Sequence, residues 1–340
     1  MRDLKIKLTS SKNASNIQEK MMCKSFGYQV LGFGSGFTTA VSTATIQKAI
    51  FAYGRLIDDS FVSMSNLVTS EGIIGTDVTG VGTARHGPAT APYGTDKGIF
   101  RGGEHSSSRV SLSNLVSNSG VIASDVAGVG TAIVEGTGTG YGLDKGIVCF
   151  GGIHGGVTNV SNLISNSGVV SAEVTGVGTA RIYPGGTSYG GDKGIIAYGY
   201  AGSSYLSMSN LVSNVGVVSS DVGGVGTVRN HLAGATYGST GQAIFAYGAT
   251  TGTSIISISN LVNNLGVVAA DTGSLAGTPR YNLAAATYGG DKSVFAYGKP
   301  SGAITNVKNL CNNLGVIAAD VTGVGSARTG AGAVGYSLSA

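Results

Sequence analysis

Tryptophan is absent from this chain of 340 residues, and only 11% of the residues carry charge. The scarcity of charge matters more because the charge is uneven. Residues 1–26 hold Arg2, Lys5, Lys7, Lys12, Lys20 and Lys24 against Asp3 and Glu19, and the remaining 15 basic and 15 acidic residues balance. The body therefore lacks the basic stripe that a nucleic-acid-binding domain presents, so no specific nucleic acid is expected as a partner. Cysteine is also scarce. Cys23, Cys149 and Cys311 are odd in number and show no metal-ligand spacing, which excludes a disulfide framework and fits folding in a reducing compartment. The start Met1-Arg2-Asp3-Leu4-Lys5 has no apolar h-region, so no secretory signal peptide is expected. Residues 230–270 contain no Asp, Glu, Lys or Arg, but Ser, Thr, Asn and Gly interrupt them every few positions, and no membrane span is read there.

What is abundant is glycine, with 58 residues, and it recurs at fixed places. The tripeptide Ser-Asn-Leu, once altered to Lys-Asn-Leu, puts an asparagine at Asn66, Asn114, Asn162, Asn210, Asn260 and Asn309, in steps of 48, 48, 48, 50 and 49 residues. A fixed period of this size means stacked copies of one supersecondary unit. Within the copy at 181–228, apolar or small-residue runs at 187–190, 195–199, 206–212 and 217–222 are separated by Gly, Asn or Asp. Those are four short strands, and four strands with their connections account for a unit in the forties. No segment has the 3.6-residue apolar period of a helical solenoid. The second run is apolar on both faces (Ile195 and Ala197 against Ile196 and Tyr198), which places it between layers. The first is crowded with small residues, as in Leu283-Ala284-Ala285-Ala286-Thr287, and is expected to lie innermost.

An Arg, small apolar residues, a Gly-Asp-Lys-like turn, an apolar strand ending in Gly, a variable loop and two outer strands together resemble the kelch repeat, over residues 36–340. The double Gly persists at Gly102-Gly103 and Gly151-Gly152 and becomes Tyr-Gly elsewhere, and Val or Ile stands where the kelch outer strand has Trp. The resemblance implies an all-β, kelch-like β-propeller of six or seven four-stranded blades over residues 27–340, with a short basic N-terminal arm at 1–26. The Trp-containing Asp-box of sialidase-like propellers is excluded. The repeat texture is also similar to Gly-rich virion and tail-associated proteins of tailed bacteriophages. That similarity implies a non-enzymatic virion component, a capsid decoration, fibre or tail-associated module made in the host cytoplasm. Arg2, Lys5, Lys7 and Lys12 of the arm would dock it to other virion proteins, and the opposite loops would meet a host-surface glycan or protein. A soluble lectin-like propeller and a cellular kelch-type scaffold are the alternatives.

Two closures are open. In the preferred one, the C-terminal strand joins N-terminal strands near 28–33 and 4–8 in a seventh blade. In the other, residues 331–336 replace a weak inner strand at 40–45 to give six. Residues 15–25 carry a capping-box pattern for a short helix.

The Arg that opens the unit recurs at Arg85, Arg181, Arg229, Arg280 and Arg328, with Ile133 as the exception. It reads either as a cationic ring at the mouth of a central channel or as a brace bonded to the preceding loop or to the recurrent acid at Asp77, Asp125, Glu173, Asp221, Asp271 and Asp320. Asp96-Lys97, Asp144-Lys145, Asp192-Lys193 and Asp291-Lys292 read as hairpin turns. The recurrent Asn is expected to bond backbone at a strand end. His105 and His154 occupy matching places, three residues after Gly102 and Gly151, but no metal site and no cofactor is expected. Recognition is expected in the loop between second and third strands (55–65, 103–113, 152–161, 200–209, 249–259 and 299–308), the segment that changes between copies. It contributes Asp58, Asp59, His105, Arg109, His154, Tyr200, Tyr205 and Lys299.

Overall fold

Small and β-branched residues alternate with glycine turns along the whole body, and the computed structural model describes residues 46–251 and 254–340 as strands and turns alone. The basic arm, the 15–25 helix and the strands at 4–8, 28–33 and 40–45 lie outside the described residues.

Each copy folds as an antiparallel sheet whose strands follow chain order: Ala89–Tyr93, Lys97–Arg101 and Ser113–Val116; Thr137–Tyr141, Lys145–Ile153 and Gly156–Ile164; Gly185–Tyr189, Lys193–Tyr200 and Tyr205–Val212; Ala233–Tyr237, Gln242–Ala246 and Ser259–Val262; Ala284–Tyr288, Lys292–Ala296 and Lys308–Cys311. The sheet of the first copy is discontinuous in sequence. Gly332–Tyr336 pairs with Lys48–Arg55, which pairs with Phe61–Val68. The C-terminal strand thus supplies the first strand of the first copy, the pairing expected of the second closure.

The expectation of four-stranded sheets needs correction. Only the third copy carries a full fourth strand, Val170–Val174. Elsewhere the fourth segment is held by isolated bridges such as Ser113↔Val126 and Val116↔Ile122. The cause is local. The amide of Asn114 donates both to Ala123 O and to Asp125 Oδ1, so a side chain stands where ladder bonds would run. In the third copy Glu173 replaces Asp, Asn162 donates only to Ser171 O, and Asn162↔Glu173 is an ordinary ladder pair.

The second strands are buried on both faces, as their composition predicts. The first strands lie against one another. In chain order each touches the next, and Gly332–Tyr336 touches both Ala284–Tyr288 and Ala89–Tyr93. Small residues permit this approach. The Thr187 and Thr236 hydroxyls are 3.2 Å apart, and the Thr287 hydroxyl donates to Thr236 O. At the turn ends of these strands a cycle of backbone bonds runs from Gly94 to Asp144, Gly142 to Asp192, Gly190 to Gly241, Gly238 to Asp291, Gly289 to Gln47 and Ser337 to Asp96, each N–H donating over 2.7–3.0 Å. The hairpin turns expected at the Asp-Lys pairs are the links of that cycle, and each Lys ammonium bonds its preceding Asp.

Candidate functional site

The recurrent arginines are fully buried, so they are not a cationic ring at a channel mouth. Arg85, Arg181, Arg229, Arg280 and Arg328 are each 0% exposed. Arg229 shows the arrangement most completely. Its Nε donates to Tyr247 O, its Nη1 to Thr227 O, and its Nη2 to Phe245 O and Asn260 Oδ1, while its guanidinium lies 3.9 Å over the Tyr198 ring of the preceding sheet. Asn260 donates in turn to Asp271, and Asp271 accepts from the backbone and hydroxyl of Thr227. Burial lowers the Arg229 pKa, and the neighbouring Tyr198 and Asp271 oppose the shift. The chain of Tyr, Arg, Asn, Asp and Thr therefore clamps one sheet to the next, with cation–π and charge-assisted bonds in a desolvated setting. The last such clamp joins the chain's end to its beginning: Arg328 stacks on Tyr297 and donates to Asn66, and Ser326 donates to Asp77. Glycine at positions such as Gly82 is required, because its φ is +75° and a Cβ would collide with the Asp125 carboxylate.

One junction is built differently. Where other copies have Tyr or Phe followed later by Arg, the chain has Gly102 and Ile133, and where they have Ala or Cys it has Arg101. The Arg101 side chain is 0% exposed and its Nη2 donates to Val129 O, the place that the Tyr53 and Tyr198 hydroxyls take by bonding Val81 O and Val225 O. One arginine thus fills the space of two side chains, and its Nε and Nη1 stay buried without partners. Restoring the repeat with Arg101→Ala, Gly102→Tyr and Ile133→Arg together is expected to raise the melting temperature. Ile133→Arg alone, adding a second buried cation, is expected to lower stability by roughly 2–4 kcal/mol. Thermal unfolding of the single and triple variants checks both signs.

Two residues beyond each clamp position lies a column that the repeat does not conserve: Gly87, Glu135, Tyr183, His231, Asn282 and Gly330. Their backbones form a second closed cycle. Glu135 donates to Gly87 O, Tyr183 to Glu135, His231 to Tyr183, Asn282 to His231, Gly330 to Asn282 and Gly87 to Gly330, over 2.8–3.1 Å. All six have left-handed φ between 51° and 64°, an uncommon conformation that concentrates at functional positions when the residue is not Gly. The two glycines make room for the Glu135 carboxyl. A Cβ on Gly87 would lie 2.8 Å from it, and one on Gly330 would lie 3.4 Å from its Oε1. His86 Nε2 stands 3.9 Å from that oxygen. Burial pushes Glu135 up to about 7, against a hydrogen bond from Asn282 that favours the anion and with Glu104 adding to the rise. Burial depresses the His86 imidazole, with Glu104 opposing. The His231 ring is stacked 3.4 Å from Tyr183 and edge-on to Tyr281, and burial takes its pKa down to about 3.

The loops named from the sequence as recognition elements rise at this same end. The bridges His86↔Glu104, Val134↔Gly152, Ile182↔Tyr200, Asn230↔Ala249, Tyr281↔Lys299 and Arg55↔Thr329 seat each hairpin beside the residue preceding its ring position. The predicted residues are distributed over these hairpins. Asp58 accepts from Ser60, and Asp59 pairs with Arg55. His105 donates from Nδ1 to Ala84 O and lies 6.4 Å from Phe61, which stacks on His86. Arg109 pairs across its hairpin with Glu104, and it only weakly opposes the rise of the Tyr183 phenol, which burial first and then Glu135 and Glu104 push up to about 12. His154 is exposed at a hairpin tip. Tyr200 and Tyr205 face each other across theirs, with rings 5.1 Å apart. Two are brought into one cavity: Asp59 and Lys299 line a space of about 210 Å³ with Arg55, Tyr281 and Asn282. No cluster of three His, Cys, Asp or Glu side chains that could hold a metal occurs among the described residues. No helix among the described residues is long and apolar enough to cross a membrane.

Sequence reasoning missed the ring column. Its signal was present, since the position takes five residue types over six copies while the Arg two residues before it holds in five of them. Comparison with protein-family models and with curated proteins finds no match.

Proposed function

We propose that the protein is a non-enzymatic recognition and display module built as a kelch-like β-propeller of six blades. The six first strands in mutual contact and the two backbone cycles, one at each end of those strands, support that reading. One observation carries the functional part. The two ends of one repeated scaffold differ in kind: the turn end repeats Gly and, in four of six copies, Asp-Lys, whereas at the hairpin end the ring column takes five residue types over six positions and the loops change in each copy. Uniformity suits attachment, and variation on a fixed frame suits recognition.

In the organism we propose a virion role, as a capsid decoration, fibre or tail-associated module, with the basic arm contacting other virion proteins and the hairpin end meeting a host-surface glycan or protein. The Gly-rich repeat texture and the one-sided variation support this assignment. Deleting residues 1–26 is expected to abolish incorporation into particles while the melting temperature of the body stays within a few degrees. Cryo-EM of purified virions and calorimetry of the free protein read the two outcomes. A free pool with no particle-bound copies for the full-length chain would overturn the virion role.

A further inference from the structure

We infer that the cavity between the first and last hairpins binds a saccharide unit bearing a carboxylate. The inference rests on reading the hairpin end as a recognition face, and it names the ligand class. Arg55, Leu56, Ile57 and Asp59 form one wall, Lys299, Gly302 and Ile304 the other, and Tyr281, Asn282 and Thr329 the floor beside the ring. Its volume of about 210 Å³ suits one sugar ring with its substituents.

The charges select the substituent. The Arg55 guanidinium is bonded through Nε and Nη2 to Asp59, so that pair is neutral as a unit and keeps Nη1 to donate. The Lys299 ammonium has no hydrogen bond or ion pair among the described residues. One uncompensated cation remains, which matches a single negative charge. A carboxylate supplies one, whereas a phosphate monoester brings nearly two. The apolar surface sets the rest of the ligand. Ile57 is 68% exposed at the wall, and the partly exposed Tyr281 ring is held edge-on against His231. Together they offer an apolar face to the C–H side of a pyranose. Asp59, Asn282 and Thr329 offer acceptors and donors to hydroxyls on its other edge. No other copy offers this set, because no other copy has a Lys at the Lys299 position or a Tyr at the Tyr281 position.

The test uses the full chain and calorimetric titration with oligosaccharides ending in glucuronic acid or N-acetylneuraminic acid, each beside its carboxyl-reduced counterpart. At least one acidic probe is expected to bind roughly tenfold more tightly than its neutral counterpart, by one charge-assisted contact. That preference should shrink as salt is raised and vanish in Lys299→Met. Ile57→Trp, which fills the cavity from an exposed position, should remove binding of both probes of the pair with no change in melting temperature. Equal affinity for acidic and neutral probes, or a preference that survives Lys299→Met, overturns the inference. If neither probe binds while substitutions in the other hairpins still abolish attachment to the target surface, this ligand assignment fails and the recognition face stands. If hairpin substitutions leave attachment untouched, the recognition reading itself fails.

Discussion

Replacing Arg229 by Met is expected to destabilise the protein by about 3–5 kcal/mol, because it removes one partner of a buried, fully bonded charge network. The carbonyls of Tyr247 and Phe245 and the Oδ1 of Asn260 each lose a donor. Tyr198 loses the cation above its ring. Each buried acceptor left unsatisfied carries its own desolvation cost. Arg229→Lys should recover little of this loss. An ammonium cannot reproduce the fork that reaches four acceptors at once, nor lie flat on the tyrosine. Asn260→Leu should cost a similar amount by the opposite route, since it leaves the guanidinium buried without its closest side-chain acceptor. Calorimetric melting temperatures of the three variants check these outcomes, with a fall of roughly 10 °C expected for Arg229→Met. A change below about 2 °C would show that the clamp is not what holds adjacent sheets together.

The second large effect is a pair of opposed pH dependences at the ring. Glu135 has its pKa raised to about 7 in the folded protein, so between about pH 4.5 and 7 the folded state binds one more proton than the unfolded state at this group. Its stabilising contribution is present in acid and is lost as pH rises through 7, by about 3 kcal/mol in all. His231 is depressed to about 3, so between about pH 3 and 6.5 the unfolded state binds the extra proton and stability rises with pH. From about 4.5 to 6.5 the two slopes, each about 1.4 kcal/mol per pH unit, cancel. Glu135→Gln should expose the histidine slope, with stability climbing toward pH 6.5 and gaining relative to the parent at pH 8. His231→Phe, which keeps a ring against Tyr183, should expose the glutamate slope and lose stability from pH 4.5 to 7. His86 adds a dependence of the same sign as His231 in every variant, and the recurrent aspartates, with lowered pKa values, act only below about pH 4. Denaturant unfolding at half-unit steps measures the profiles. Parallel curves for parent and both variants would show that neither group is titrating out of its normal range.

Much of the architecture was legible in composition and spacing. The first three strands of each unit, the doubly buried second strand, the crowded first strand and the Asp-Lys turns follow from alternation and from the tolerance of Gly and Asp for turn geometry, whereas the fourth strand expected in every copy forms in full only in the third. These are local properties, and repetition amplifies them six times. The backbone role of the recurrent Asn was also readable, and it is realised in Asn66 donating to Gly75 O and its counterparts. The arginines were not resolved in the same way. A cation at a unit boundary looks the same in sequence whether it faces a channel or lies under a tyrosine, because the tyrosine belongs to the preceding copy and reaches it only after the sheets have packed. Arg101, Gly102 and Ile133 looked like three unrelated departures, and their compensation exists only in space.

The sequence by itself determined the unit, its first three strands and its turns, since each depends on residues within a few positions of one another. Tertiary structure decided how the units meet. It chose Gly332–Tyr336 as the partner of Lys48–Arg55, buried the five arginines, and gathered Gly87, Glu135, Tyr183, His231, Asn282 and Gly330 into one cycle. The reason is geometric. Each of these contacts joins residues from different copies, and no single copy contains both partners.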